Sequence, residues 1–231
     1  MAFILIFVLL AYPSFARIIW KGLPSKLVAL TFDDGPSDKY TGKVLDILKK
    51  GGVKATFFVI GKKAADNLDL LKRIAKDGHE LGNHTFNHAR LNWLSDDKLR
   101  DELRTTSEII KANTRKDVKY FRPPNGFLTR EKRVLAEKSG YDIVLWSVHA
   151  DDYTHELSGL RDPGSITRRV NALVKGGDIV LMHDISWQVV EALPGIVSSL
   201  KKRGYKFVTV SQLVEHEKRA EKQQAVRKKK V

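Results

Sequence analysis

Residues 27–36 read Leu27-Val28-Ala29-Leu30-Thr31-Phe32-Asp33-Asp34-Gly35-Pro36. An apolar, strand-forming run ends on two adjacent carboxylates and then on a Gly–Pro turn. Outward from it the same alternation repeats. Strands are predicted at Leu27–Phe32, Lys54–Ile60, Glu80–Gly82, Tyr120–Arg122, Ile143–Ser147, Asp178–Met182 and Lys206–Val210. Helices are predicted at Tyr40–Lys50, Lys62–Asp77, Ser95–Ala112, Thr129–Ser139, Ile166–Val174 and Val189–Arg203. Apolar residues at i, i+3, i+4 spacing mark the helices, and several stop at a glycine (Gly51, Gly78, Gly140, Gly204). Strand–helix alternation of this kind implies a parallel sheet. Because polar residues repeatedly follow the strand ends, a closed or nearly closed (β/α) barrel fits better than an open sheet, with its chemistry at the C-terminal ends of the strands.

The chain has 231 residues, enough for one well-filled core. It carries 41 Lys+Arg against 27 Asp+Glu, a net +14, of which residues 215–231 supply +4. A basic surface attracts polyanions: nucleic acid, anionic lipid or an acidic cell-wall polymer. There are no cysteines, so any metal must be held by His and carboxylate side chains. Residues 3–11 (FILIFVLLA) have the length of a signal peptide's apolar region, with Ser14 and Ala16 before a plausible cleavage point at Arg17, although no Lys or Arg precedes the run. The expected organisation is therefore a signal peptide or N-terminal anchor over 1–16, a single domain over 17–213, and a basic tail over 214–231, helical in propensity and solvated. The expected location is extracytoplasmic: secreted, or associated with the cell wall or membrane.

Three polar clusters stand at predicted strand ends. Asp33 and Asp34 would repel unless a cation neutralised one and left the other as a base; the bland alternative is a solvated Asp–Gly turn. His84 and His88, at i, i+4, would converge on one ion if they sat on one face of a helical turn. With Asp34 they make a set of two His and one Asp that leaves coordination positions open, which suits zinc, with cobalt or nickel also able to occupy it. His183 ends a buried strand, where a histidine is either core or a general acid.

These segments resemble the polysaccharide deacetylase family (NodB-homology domain, carbohydrate esterase family 4). Thr31–Pro36 (TFDDGP), His84–His88 (HTFNH), Arg122-Pro123-Pro124-Asn125-Gly126 and the Leu181–His183 region match its motifs in order, and the similarity spans roughly residues 26–212. The resemblance implies an irregular (β/α) barrel of about seven parallel strands and removal of N-acetyl groups from a glycan such as peptidoglycan or a chitin-type oligomer. It implies Asp33 as general base, held by Arg122, and Asp34, His84 and His88 as metal ligands. It also implies the Asn125 backbone N–H as oxyanion donor, Leu181 in the acetyl pocket, and His183 as general acid oriented by Asp152. Pro124, Asn125, Trp146, Tyr153 and Leu181 would face substrate. Two residues depart from the pattern: Asn125 stands where the family has Tyr, and His149 where it has the first Asp of the fourth motif.

The partner expected is an N-acetylated polysaccharide, bound by a monomer whose basic surface also favours an anionic wall polymer or membrane surface. An O-acetyl esterase on the same fold is an alternative. A non-catalytic glycan-binding domain is disfavoured because both base and acid residues are present, and no nucleic-acid recognition motif supports the charge-based reading.

Overall fold

The computed structural model describes residues 17–152 and 162–228. The run that opens at Leu27 becomes the middle of the sheet. The strands are β1 (Ile18–Ile19), β2 (Leu27–Asp33), β3 (Thr56–Val59), β4 (Glu80–Asn83), β5 (Tyr120–Phe121), β6 (Asp142–Val144), β7 (Val148–His149), β8 (Ile179–His183) and β9 (Lys206–Phe207). The helices between them are α1 (Thr41–Lys50), α2 (Gly61–Asp66), α3 (Leu68–Lys76), α4 (Asp96–Thr114), α5 (Arg130–Lys138), α6 (Pro163–Leu173), α7 (Trp187–Lys202) and α8 (Val210–Lys228). Every residue of β2 after Leu27 is buried, as is all of β3. Strands covered on both faces are the rule in a parallel sheet whose crossovers are helices.

The strands run β1-β6-β5-β4-β3-β2-β8-β7, all pairs parallel, with β9 against the start of β2. β6 lies next to one end of this path and β7 is the other end, yet only Leu145, Trp146 and Ser147 separate them. A link that short spans at most about 14 Å, so the sheet must curl until its two ends approach. The predicted barrel is therefore present, held nearly closed by the chain itself, with no ladder joining β1 to β7 among the described residues. One core, centred on Val28, Leu30, Phe32, Phe57, Val180 and Met182, fills the space under α1, α6 and α7.

Three local differences from the predicted elements have identifiable causes. The helix expected over Lys62–Asp77 is broken at Asn67 (φ −132°, ψ 52°), whose side-chain amide donates to the Lys63 carbonyl and competes with the helical ladder. The strand expected to reach Val210 stops at Phe207, because Thr209 and Gln212 exchange side-chain-to-backbone hydrogen bonds (2.9 and 3.3 Å) as a capping box that starts α8. The boundary expected between residues 213 and 214 falls inside that helix. Leu213, Val214 and Glu217 form a buried stripe, Glu217 pairs with Arg17, and from Lys218 onward no described residue is buried. The expected leader over residues 1–16 lies outside the described residues. No described helix is long and apolar enough to cross a membrane.

The division within α8 is testable by urea unfolding. Leu213→Ala should cost about 2–5 kcal/mol, as for a buried leucine. Truncation after Glu217 should leave stability within about 0.5 kcal/mol.

Candidate metal and acid–base site

Parallel register brings the polar strand ends to one rim. Asp33 on β2 stands beside His183 on β8, and His149 on β7 beside Leu181. β4 ends at Asn83, paired with Phe121 of β5, so His84 and Arg122 leave their strands side by side. Asp33, Asp34, His84, His88, Asn125, Trp146, His149, Leu181 and His183 all line one cavity of about 820 Å³. Pro124, buried in the 3-10 turn Pro124–Gly126, lines a neighbouring cavity instead. Tyr153 lies outside the described residues.

Arg122 is fully buried. Its guanidinium donates to Asp33 Oδ1 (2.7 Å), the Thr31 hydroxyl (2.8 Å) and the Leu145 and Val144 carbonyls (2.9 and 3.3 Å), while its face lies 4.1 Å from the Phe58 ring centre. Burial lowers its pKa, against which Asp33 pulls the proton back. One carboxylate oxygen of Asp33 is thus fixed on a cation, and the other lies 3.9 Å from His84 Nε2.

Asp34 turns away from Asp33 by taking a left-handed conformation (φ 71°). The residue after it must be glycine: a Cβ at Gly35 would sit 2.3 Å from the Asp184 carboxylate. Asp184 itself is fully buried, accepts from the Thr41 hydroxyl, and has its pKa raised to about 7 by burial. Asp34 Oδ1 is buried and has no hydrogen-bond partner, while the Nε2 atoms of His84 and His88 each lie 3.3 Å from it. Donor atoms of the three residues all fall within 4.8 Å of one another. His84 Nδ1 is 2.7 Å from the Arg122 carbonyl, which only accepts, so Nδ1 carries the hydrogen and Nε2 presents a lone pair. A buried carboxylate oxygen facing an imidazole lone pair with no proton between them is the arrangement a divalent cation satisfies, so the donor set fits a metal. Burial alone would raise the Asp34 carboxyl; the neighbouring His84 and the charges of His183 and His88 overcome this and hold it well below the usual carboxylate range. Burial lowers His88.

The histidines do not occupy a helical turn as expected. They lie in the loop after β4, in which Thr85 and His88 both have positive φ (66° and 55°), and their rings converge at 5.0 Å. What shapes the loop is a set of residues that carry no signal in the sequence. Thr85 N–H donates to Asn83 Oδ1 (2.8 Å) and His88 N–H to the Thr85 hydroxyl (3.1 Å). Glu102 of α4 accepts from the backbone N–H groups of Phe86 and Asn87 (2.8 and 2.7 Å). Nothing in a helical segment rich in charge distinguishes Glu102 from its neighbours. Lys63, equally inconspicuous, donates to the Asp34 carbonyl (2.9 Å) from α2.

Asp152 is completely buried and grips His183 twice, accepting from its backbone N–H (2.8 Å) and lying 3.2 Å from Nδ1. Burial pushes the imidazolium down, but Asp152, Asp33 and Asp34 outweigh it and raise His183 to about 9. His149 lines the same wall; its Nδ1 accepts from the Asp151 N–H (2.8 Å), and burial lowers its pKa. Trp146 is half-buried between Arg122 and Gly126, where a Cβ would strike its ring at 2.4 Å; its position serves both core and cavity. Asn125 lines the cavity from a left-handed backbone conformation (φ 59°, ψ 10°).

A parallel barrel whose rim joins a His–His–Asp donor set to a buried carboxylate–arginine pair and a proton-holding imidazole has the parts of a hydrolytic metal site. The chain belongs to the polysaccharide deacetylase family, whose sequence profile matches residues 21–144. A peptidoglycan-N-acetylglucosamine deacetylase of Bacillus cereus is 41% identical over 194 residues, covering 83% of this chain and 89% of the relative. The peptidoglycan-N-acetylmuramic acid deacetylase PdaA of Bacillus subtilis is 36% identical over 190 residues, covering 82% of this chain and 72% of that protein. The solved structure of Bacillus subtilis PdaA, a family 4 carbohydrate esterase, matches with a TM-score of 0.80 and 34% identity over 87% of this chain and 86% of that one. A family 4 pseudoenzyme from Bacillus anthracis matches nearly as well, with a TM-score of 0.79 and 34% identity over 86% of this chain and 69% of that one. The shared fold therefore does not by itself assign activity, and the residues at the rim must.

If Glu102 shapes the histidine loop, Glu102→Ala should weaken zinc affinity by about 10–100-fold, the usual effect of losing an outer-shell support. Calorimetric titration of the metal-stripped protein measures this directly.

Proposed function

We propose that the protein is a metal-dependent deacetylase that removes N-acetyl groups from amino sugars of cell-wall peptidoglycan, outside the cytoplasmic membrane. The observation that carries this reading is the division of labour at the rim. Two adjacent carboxylates have different partners, Asp33 on Arg122 and Asp34 on His84 and His88, while His183 holds a proton at neutral pH. Hydrolysis of an amide needs a base for water and an acid for the amine, and this arrangement supplies one of each.

Asp34, His84 and His88 would hold the cation, with zinc favoured by the two-His, one-Asp set and cobalt or nickel compatible with it. Its contribution when bound is Lewis-acid polarisation of the acetamide carbonyl. Asp33 accepts a proton from the attacking water as the oxygen–carbon bond forms, and Arg122 holds the carboxylate in line. The Asn125 backbone N–H donates to the developing oxyanion, a role that does not depend on the side chain replacing the family's usual Tyr. His183, oriented by Asp152, gives its proton to the sugar nitrogen as the carbon–nitrogen bond breaks, releasing acetate and a free amine. Leu181 forms the apolar floor for the acetyl methyl, and Trp146 offers an aromatic wall. The relatives' peptidoglycan substrates support the choice of polymer.

Asp33→Asn should retain zinc, since it alters no ligand, yet abolish acetate release from peptidoglycan; retained turnover would sink the base assignment. The pH profile supplies a separate check. His183 has its pKa raised, so its proton is present at neutral pH and is lost as pH rises through about 9. The rate should fall across that range, and Asp152→Asn should move the alkaline limb to lower pH.

A further inference from the structure

We propose that the cavity beyond Asn125 is a second sugar subsite, which takes the residue adjoining the one that is deacetylated and pairs the carboxylate of its lactyl ether with Arg90. The inference rests on the peptidoglycan deacetylase reading, since it names the neighbour that such a substrate brings.

This second cavity, about 490 Å³, is lined by Arg90, Leu91, Pro124, Asn125 and Phe127. That volume lies within the range of small-molecule sites. It continues the main cavity rather than standing apart, because Arg90 and Asn125 line both. Two large aromatic side chains stand exposed beside it: Phe127, 62% accessible, and Trp93, 78%. Exposed aromatic surface next to a site is surface held ready for a ligand, and a ring face suits the C–H face of a sugar.

The cation distinguishes one kind of sugar from another. Arg90 rests on Trp93, its guanidinium carbon 4.9 Å from the ring centre, and none of the described carboxylates pairs with it. Contact with the ring positions the guanidinium, whose N–H groups can pair with a planar anion. Its backbone is set by the short 3-10 turn Leu91–Trp93, in which the Trp93 N–H donates to the Arg90 carbonyl (3.1 Å) and Leu91 is buried. Lys62 and Lys63 line the main cavity as well, which adds to its positive charge. A polymer of neutral N-acetylglucosamine would gain from the aromatic faces alone. A glycan strand stripped of its stem peptides carries a free lactyl carboxylate on the sugar next to each N-acetylglucosamine, and Arg90, which lines both cavities, pairs with that carboxylate.

Binding to the zinc-loaded Asp33→Asn protein, read by calorimetry, tests this without turnover. The ligands are peptide-free tetrasaccharides of alternating N-acetylglucosamine and N-acetylmuramic acid, the same tetrasaccharides with the lactyl carboxyl amidated by peptide, and chitotetraose. The peptide-free ligand should bind about tenfold tighter than either of the others, the size of one charge-assisted hydrogen bond. Adding Arg90→Gln should erase that advantage and leave chitotetraose binding unchanged, Arg90→Lys should restore part of it, and Phe127→Ala should weaken all three ligands. Equal affinity for the three ligands, or an Arg90→Gln loss shared equally among them, overturns the assignment. A preference that follows the peptide-bearing ligand overturns it in favour of a carboxylate on the peptide. Absence of acetate release by the wild-type protein would count against the deacetylase reading, and the binding results decide the subsite independently.

Discussion

Arg122 is a cation with no access to water, and the site is built around keeping it satisfied. Taking a guanidinium out of solvent costs several kcal/mol even after relaxation. Here the cost is offset by acceptors spread over Asp33 and Thr31 of β2 and the Val144 and Leu145 carbonyls where β6 ends, with the Phe58 ring of β3 beneath. β5 is only two residues long and meets β4 at a single register pair. The side chain leaving its end therefore does much of the joining that a longer strand would do. The same bonds fix Asp33, and the Arg122 carbonyl sets the tautomer of His84. One buried charge thus couples the packing of the sheet, the position of the Asp33 carboxylate and the orientation of the His84 imidazole.

The remaining charges are separated by environment rather than by distance. Asp33 and Asp34 are consecutive, yet the left-handed backbone at Asp34 sends them to different partners. His183 and His149 line the same wall with ring centres 6.4 Å apart, and their proton affinities move in opposite directions. Asp152 grips the first, while the second has its Nδ1 occupied by a backbone N–H and is held neutral by burial. Such divergence among like groups lets a single rim hold both groups that keep a proton and groups that give it up.

Much of this is legible in order along the chain. Asp33, Asp34, His84, His88 and His183 are conspicuous in the sequence, because polar residues that follow apolar, strand-forming runs stand out, whereas Arg122 and Asp152 enter only through the family resemblance. Supporting groups are not legible. Asn83, Glu102 and Lys63 act through contacts made across the fold, and in sequence they resemble any other polar residue on a helix or strand. The i, i+4 spacing of His84 and His88 suggests a helical turn, whereas the observed loop brings the rings together through two positive-φ residues held by Asn83 and Glu102. The local pattern is right about convergence and wrong about its cause. At the C-terminus, a capping box at Thr209–Gln212 outweighs the β-branched run that reads as strand.

Hydrophobic periodicity and strand-end chemistry are local properties, so the order of residues alone is enough for the class of fold and for the polar residues that gather at its rim. It is also enough to show an arginine at position 122, but not what that residue holds together. Three-dimensional packing settles that, because register between strands distant in the chain places Asp33 beside His183, and curling of the sheet brings β6 near β7. The ligand geometry of Asp34, the charge on His183 and the second cavity at Arg90 all follow from distances between segments. Those distances are set by how the segments pack, for which no single stretch of residues carries the information.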